Sequence, residues 1–194
     1  ETSKDLALEK ITNAALNSKW AWIEASGIVS FIYLWLEDTP YDAVPFTRRL
    51  SKEFPNNFYF NILYLESLIK TNMLVDAKNL IEVLDKRHEL LTKRQKDWYG
   101  PYLDYEKALL LFHEYKFLET LPLIDNAIEN YSGELDIILG NLFLLKAKVL
   151  DMQGERRTAV EYYKNCIDLD NFSYAIKQSK QYLSTPYLEN ETSK

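Results

Sequence analysis

The chain is short of the residues that punctuate and cross-link small proteins. Its 194 residues hold 5 Gly, 6 Pro, 2 His, 2 Met and 1 Cys. So few turn formers argue against an all-β protein and against a disordered one. A lone Cys166 excludes an internal disulfide framework, and with only two histidines it makes no zinc set. His88 and His113 lie in no metal-ligand spacing, and His113-Glu114 opens no H-E-x-x-H. No two glycines form a G-x-G pair, and no G-x-S-x-G elbow occurs. The sequence therefore nominates no nucleophile–base pair, no phosphate loop, no cofactor and no metal. It reads as a non-enzyme. The longest apolar run, Gly27 to Leu36, is half of the roughly 20 residues that a membrane span needs. No basic region followed by an apolar stretch opens the chain. The first residue is Glu1, so the chain reads as a processed or trimmed piece, soluble, and cytoplasmic or, if a leader was removed, periplasmic. A net charge of -6 gives no reason to expect nucleic acid or an anionic membrane as partner.

What is abundant is helix-forming and aromatic. Hydrophobic residues make up 47% and charged residues 27%, enough of each to bury a core and stay wet outside. Apolar residues recur at three- and four-residue steps, as in Leu74-Val75-Ala77-Leu80-Ile81-Leu84 and Ala159-Val160-Tyr163-Cys166-Ile167. That is helix periodicity, and no segment alternates as a strand would. Breakers fall between the stripes at Thr39-Pro40, Pro55-Asn56-Asn57, Gly100-Pro101, Ser132-Gly133, Gln153-Gly154 and Thr185-Pro186. Basic residues at Lys86-Arg87-His88 and Lys93-Arg94-Gln95-Lys96 suit a solvated helix end. Cys166 reads as a small packing residue rather than a reactive thiol.

The stripes repeat. Ala7, Ala43, Ala77, Thr120 and Ala159 each open the second helix of a pair, 34 to 43 residues apart. Four residues on stand Ile11, Thr47, Ile81, Ile124 and Tyr163; seven on stand Ala14, Leu50, Leu84, Ala127 and Cys166. The first-helix seam recurs as Lys107-Ala108-x-x-Leu111 and Lys146-Ala147-x-x-Leu150, and as Ser30-x-x-Tyr33 with one inserted residue assigned near Thr39-Pro40.

On these residues the chain resembles the tetratricopeptide repeat (TPR) family, in the manner of bacterial TPR proteins of unassigned function. Phe143 through Asn171 carries the clearest match, with small Ala147, turn-making Gly154, then Ala159 and Tyr163; Phe54-Pro55-Asn56-Asn57 matches a repeat ending. The likeness covers about four and a half units. It departs from the family at Asn72 and Tyr115, which replace the turn Gly, and at Leu65, which replaces the small residue. The resemblance implies an all-α fold, a right-handed α-α superhelix over 1–184. It divides into an unpaired leading helix at 4–17, helix pairs at 19–54, 56–91, 92–131 and 134–170, and a capping helix at 173–184. A polar, frayed tail follows at 185–194. Glu-Thr-Ser-Lys stands at both ends of the chain and has no physical explanation.

The resemblance also implies a function. First helices of TPR pairs line a concave groove that takes peptides. Here that face reads Phe31, Trp35, Tyr59, Glu66, Lys70, Tyr102, Tyr105, Phe112, His113 and Lys148, rich in the aromatic anchors that dominate interfaces. The partner expected is a protein or peptide. Gly27 and Phe31 stand in the first positions of the family's carboxylate clamp, so that subtype is not supported. The alternative is a structural segment of a longer chain or a homo-oligomer, joined through the leading helix. Leu8, Ile11 and Ala15 give that helix an apolar side that expects cover from an upstream helix, a second copy or a partner.

Overall fold

In the computed structural model, residues 3–133 and 136–188 are described. They form an all-α protein in which, within α1–α4 and within α6–α10, consecutive helices pack on one another, the pattern of a helical-repeat solenoid. The helices are α1 (Ser3–Asn17), α2 (Trp22–Phe31), α3 (Pro40–Glu53), α4 (Phe58–Lys70), α5 (Leu74–Glu89), α6 (Lys93–His113), α7 (Phe117–Asn130), α8 (Ile137–Met152), α9 (Arg156–Asp168) and α10 (Tyr174–Ser184). A π-helical turn, Ile32–Leu36, continues α2. No strand occurs among the described residues. Local chemistry sets several starts. Pro40 fills the first turn of α3, where its missing N–H costs nothing. The Asn57 side chain accepts the Phe60 N–H at 3.0 Å to open α4. Thr92 and Gln95 form a reciprocal capping box that opens α6. The last turn of α5 holds Lys86, Arg87 and His88, cations suited to its C-terminal dipole.

The chain divides into two compact units, Glu1–Leu84 and Asp85–Lys194, where the sequence suggests one solenoid. In the first unit α1 packs on α2, α2 on α3 and α3 on α4, and α2 also touches α4. Ala15, Val29 and Phe46 form a buried cluster there. Trp22 stacks on Phe54 at 6.0 Å while the Arg49 guanidinium lies 3.9 Å over its ring. In the second unit α6 to α10 pack in sequence, and α6–α8 and α8–α10 contacts join alternate helices into one layer. Its main core gathers Leu144, Ala147, Ala159, Tyr163, Cys166, Ala175 and Tyr182.

The repeat positions are where helices meet. Ala43, Ala77, Thr120 and Ala159 are fully buried, and so are Leu50, Leu84, Ala127 and Cys166 seven residues on. The first-helix seam residues Ser30, Leu65, Ala108 and Ala147 are buried equally. A small side chain on one or both sides lets two helix axes approach closely enough to exclude water. At α1 the alignment slips: Ala7 is exposed, and Ala15 rather than Ala14 is fully buried.

Between the helices of a pair the backbone repeats as well. Asn72, Tyr115 and Gly154 all lie in the left-handed region, at φ 61°, 61° and 78°. In each turn the next residue's N–H reaches back five residues to a carbonyl: Met73 to Leu68 at 2.8 Å, Lys116 to Leu111 at 2.9 Å, Glu155 to Leu150 at 2.9 Å. That is the Schellman closure, which satisfies carbonyls a helix end would leave orphaned. Asn72 and Tyr115 thus do the glycine's job without being glycine. Asp38, at φ 55°, ends the π turn with the same left-handed residue, but its successor Thr39 bonds back six residues, to Tyr33, rather than five. Asp38 stands one residue farther from Ser30 than Gly154 does from Ala147. The inserted residue is therefore absorbed by the π turn at Ile32–Leu36, not near Thr39-Pro40, because a π turn takes up one extra residue without leaving the helix.

Two further expectations are corrected. Gly100-Pro101 does not break a helix: α6 runs through it for 21 residues. Proline removes one ladder hydrogen bond, at a cost of about 3 kcal/mol. Burial of Leu103, Tyr105, Ala108, Leu109 and Leu110 on the same helix outweighs it. The apolar side of α1 is partly covered from within the chain. Ala15 is fully buried and Ile11 packs on the Val29–Phe46 cluster, while Leu8 is half-buried and Leu6 and Leu16 stay 42% and 57% exposed.

A glycine-specific backbone predicts a position-specific cost. At Gly154 a Cβ meets no atom within 4 Å, so Gly154→Ala adds only left-handed strain. The expected loss is about 1 kcal/mol, or about 2–4 °C in Tm for a chain of this size. Tyr115→Gly, which removes the same strain, should not destabilise. Thermal unfolding of both variants checks this, and a neutral Gly154→Ala contradicts it.

Candidate functional site

In the first unit, three of the residues assigned to the groove close on one another. Trp35 and Glu66 are buried, and the indole Nε1–H donates to Glu66 Oε2. Lys70 Nζ lies 3.1 Å from Glu66 Oε1 and 3.1 Å from Asp38 Oδ1, and donates to the Leu34 carbonyl at 2.7 Å. Glu66 and Lys70 stand one turn apart on α4, and the π turn tips Trp35 and the Leu34 carbonyl toward them. Burial on its own lowers the Lys70 pKa; the charges of Glu66 and Asp38 outweigh it and hold the ammonium raised and charged. Phe31 meets Trp35 edge to face at 5.1 Å, and Tyr59 leans on Phe60 at 6.3 Å. Trp35, Glu66 and Lys70 are thus a buried ionic cluster joining α2, its π turn and α4.

In the second unit, Tyr105 is buried at 2% exposure and belongs to the core. Tyr102 is half-buried and pairs with Tyr131 across 6.2 Å. Burial, opposed by the bond to Tyr131, leaves the Tyr102 phenol raised. Phe112, His113 and Lys148 remain half-buried on α6 and α8. Two of them meet at an element the sequence assigns to the polar tail. Tyr187, only 3% exposed, sets its ring 5.9 Å from Phe112 and 5.3 Å from Tyr182, with the Lys148 ammonium 5.0 Å over it. Its backbone N–H donates to Asp151 Oδ2 at 2.8 Å. The tail is therefore packed at Tyr187; residues 189–194 lie outside the described residues.

Asp151 holds that corner together. Besides the Tyr187 amide it accepts the Tyr163 hydroxyl at 2.8 Å and Arg156 Nη1 at 3.1 and 3.0 Å. Burial first, then the bond to Asp151, keep the Tyr163 phenol raised and protonated. Arg156 Nη2 donates to the Tyr182 and Leu183 carbonyls at the end of α10, at 2.7 and 2.8 Å. Lys148 Nζ donates to Gln178 Oε1 at 2.8 Å. Asp151 is not among the groove residues the sequence singles out, and its role shows only once Tyr187 is seen to fold back. The signal available was Tyr187-Leu188 at the head of an otherwise mostly polar tail.

Among the described residues, no group of three or more His, Cys, Asp or Glu side chains is placed to hold a metal ion, and no helix is long and apolar enough to cross a membrane. Comparison with family models, curated proteins and solved structures finds no match to the chain.

Cys166 is buried against α8, its Sγ donating to the Gly140 carbonyl at 3.3 Å. Burial pushes the thiol from an ordinary 9.0 to about 11. At pH 8 the native protein should react with a thiol reagent roughly a hundredfold more slowly than the unfolded chain. The neutral thiol favours the folded state below pH 9, and that contribution fades as pH rises from 9 through 11. Rapid native labelling contradicts this.

The ionic cluster gives an ordered set of stabilities. Lys70→Met takes the ammonium away from the buried Glu66 carboxylate, leaving it the Trp35 N–H without a facing Lys70 charge, and should cost about 3 kcal/mol or more. Glu66→Gln should cost less, since Lys70 keeps Asp38 and the Leu34 carbonyl. The double variant should be more stable than Lys70→Met alone. Urea unfolding measures all three, and a double variant as unstable as the sum of the singles refutes the pairing.

Proposed function

We propose that the chain is a non-enzymatic protein-interaction module of TPR type that takes an extended peptide on the first helices of its pairs. The observation supporting this is the seating of an extended stretch of chain on α6 and α8 in the second unit, at Phe112 and Lys148, two of the positions that the TPR resemblance assigns to peptide contact. The backbone leaves α10 extended at Thr185 (φ -128°, ψ 123°) and brings Tyr187 onto that face. An aromatic ring, a lysine over it and a carboxylate receiving a main-chain N–H are the elements by which a groove reads a peptide. Trp35 and Tyr105, being core residues, are unsuited to test this; their loss would unfold the protein before it reported on binding.

A second reading has its own observation. Leu8 and Leu16 of α1 line an open groove of about 490 Å³ with Thr12 and Tyr33. A copy of the chain or a neighbouring helix seated there would make the protein a structural joint.

The two separate by experiment. Peptides selected from a displayed library should bind the chain, and Lys148→Glu should weaken them at least about tenfold, equivalent to 1.4 kcal/mol. Peptides that bind equally well to the variant, or a library that yields none, count against the module. Sedimentation velocity across a concentration series reads the second: dimers that Leu8→Glu with Leu16→Glu abolishes would favour the joint.

A further inference from the structure

The corner of the second unit that holds Tyr187 is built to stay when Tyr187 leaves. Asp151 is fixed by two bonds from Arg156 and one from Tyr163, and Lys148 by Gln178, none of which involves the tail. Arg156 also clasps the last carbonyls of α10, so the helix end does not depend on Tyr187 either. Phe112 keeps a second aromatic neighbour, Phe117, at 5.4 Å. Among the described residues of the tail, Tyr187 is the side chain that packs, joining the cluster of Leu144, Tyr163 and Tyr182. Tyr187 is buried, whereas Thr185, Pro186 and Leu188 are exposed. A seat whose polar groups are already held in place by Arg156, Tyr163 and Gln178, and which receives one ring and a main-chain N–H, is preorganised for a ligand that can exchange.

We propose that residues 185–188 are a self-ligand. Tyr187 occupies the seat of a tyrosine carried on an extended segment of a partner protein, and the partner binds by displacing it. This rests on the peptide-module reading and adds the partner's chemistry: an extended backbone that presents one N–H to Asp151 and one electron-rich ring to Phe112, Tyr182 and the Lys148 ammonium. Tethered three residues beyond α10, the tail competes at an effective concentration of about millimolar, so it masks the site from weak or abundant peptides.

The probe is a fluorescent peptide copying residues 183–188, Leu-Ser-Thr-Pro-Tyr-Leu, titrated by anisotropy into the unaltered chain and into Tyr187→Ala. The vacated variant should bind at least about tenfold more tightly, because its seat is no longer filled from within. A probe with Ala in place of Tyr should not bind, and Asp151→Asn in the Tyr187→Ala background should weaken the intact probe. Equal binding to both proteins, no binding to a Tyr187→Ala chain whose circular dichroism is native, or equal binding of the Ala probe overturns the proposal. Should Tyr187→Ala not fold, 3-fluorotyrosine at position 187 of the unaltered chain decides instead. Excess probe should move its fluorine signal to the solvent-exposed position, and an unmoved signal at millimolar probe overturns the proposal. Library-selected peptides that bind the unaltered chain and Tyr187→Ala equally well would sink the self-ligand and leave the module standing. Their failure on both proteins would sink the module.

Discussion

A helix pair in this protein is held at its turn by one residue that must adopt a left-handed backbone. At Asn72, Tyr115 and Gly154 that residue lets the chain reverse while the following N–H returns to a carbonyl five residues back, and at Asp38, after the π turn, six back; the reversal lays the small residues of the second helix on the seam of the first. Shift the turn by one residue and Ala77, Thr120 or Ala159 rotates about 100° off the seam, which a core packed at crystal-like density does not tolerate. Asn72 accepts the conformation readily, since its short polar side chain is among those that visit it. Tyr115 accepts it at a cost, offset by the contacts on either side, where Phe112 and Phe117 pack at 5.4 Å.

Much of this is legible in residue order because small and large residues must alternate in register wherever two helices meet. From Ala43 onward, the positions spaced like Ala43, Leu50, Ala77 and Leu84 are all buried. Cys166 belongs to the same series, so its inertness follows from its place in the repeat. Where tertiary contacts outvote local preference the reading fails. Pro101 is a breaker by itself, yet the face of α6 that it interrupts is too well buried to part. The π turn is invisible in composition; only the extra residue between Ser30 and Asp38 betrays it.

The candidate site was harder to read for a different reason. Helical periodicity identifies a face but not what lies against it. Trp35, Glu66 and Lys70 share the expected face and are nonetheless closed into a buried ionic cluster, because the π turn and Asp38 lean over α4. Phe112 and Lys148 share it too and meet a segment whose polar composition gave no reason to expect packing. A single apolar ring in such a segment is weak evidence in sequence and decisive in space, where it finds Asp151 already oriented by Arg156 and Tyr163.

The dependence of the fold on its turns is open to direct measurement by residue-resolved amide hydrogen exchange under native conditions. The amides of Met73, Lys116 and Glu155 lie just beyond the helix ends, where exchange is ordinarily fast. The account predicts that all three are protected to a similar degree, Lys116 included despite the tyrosine before it. Exchange of Lys116 at the rate of an unstructured loop, beside protected Glu155, would contradict a common turn geometry and with it the repeat.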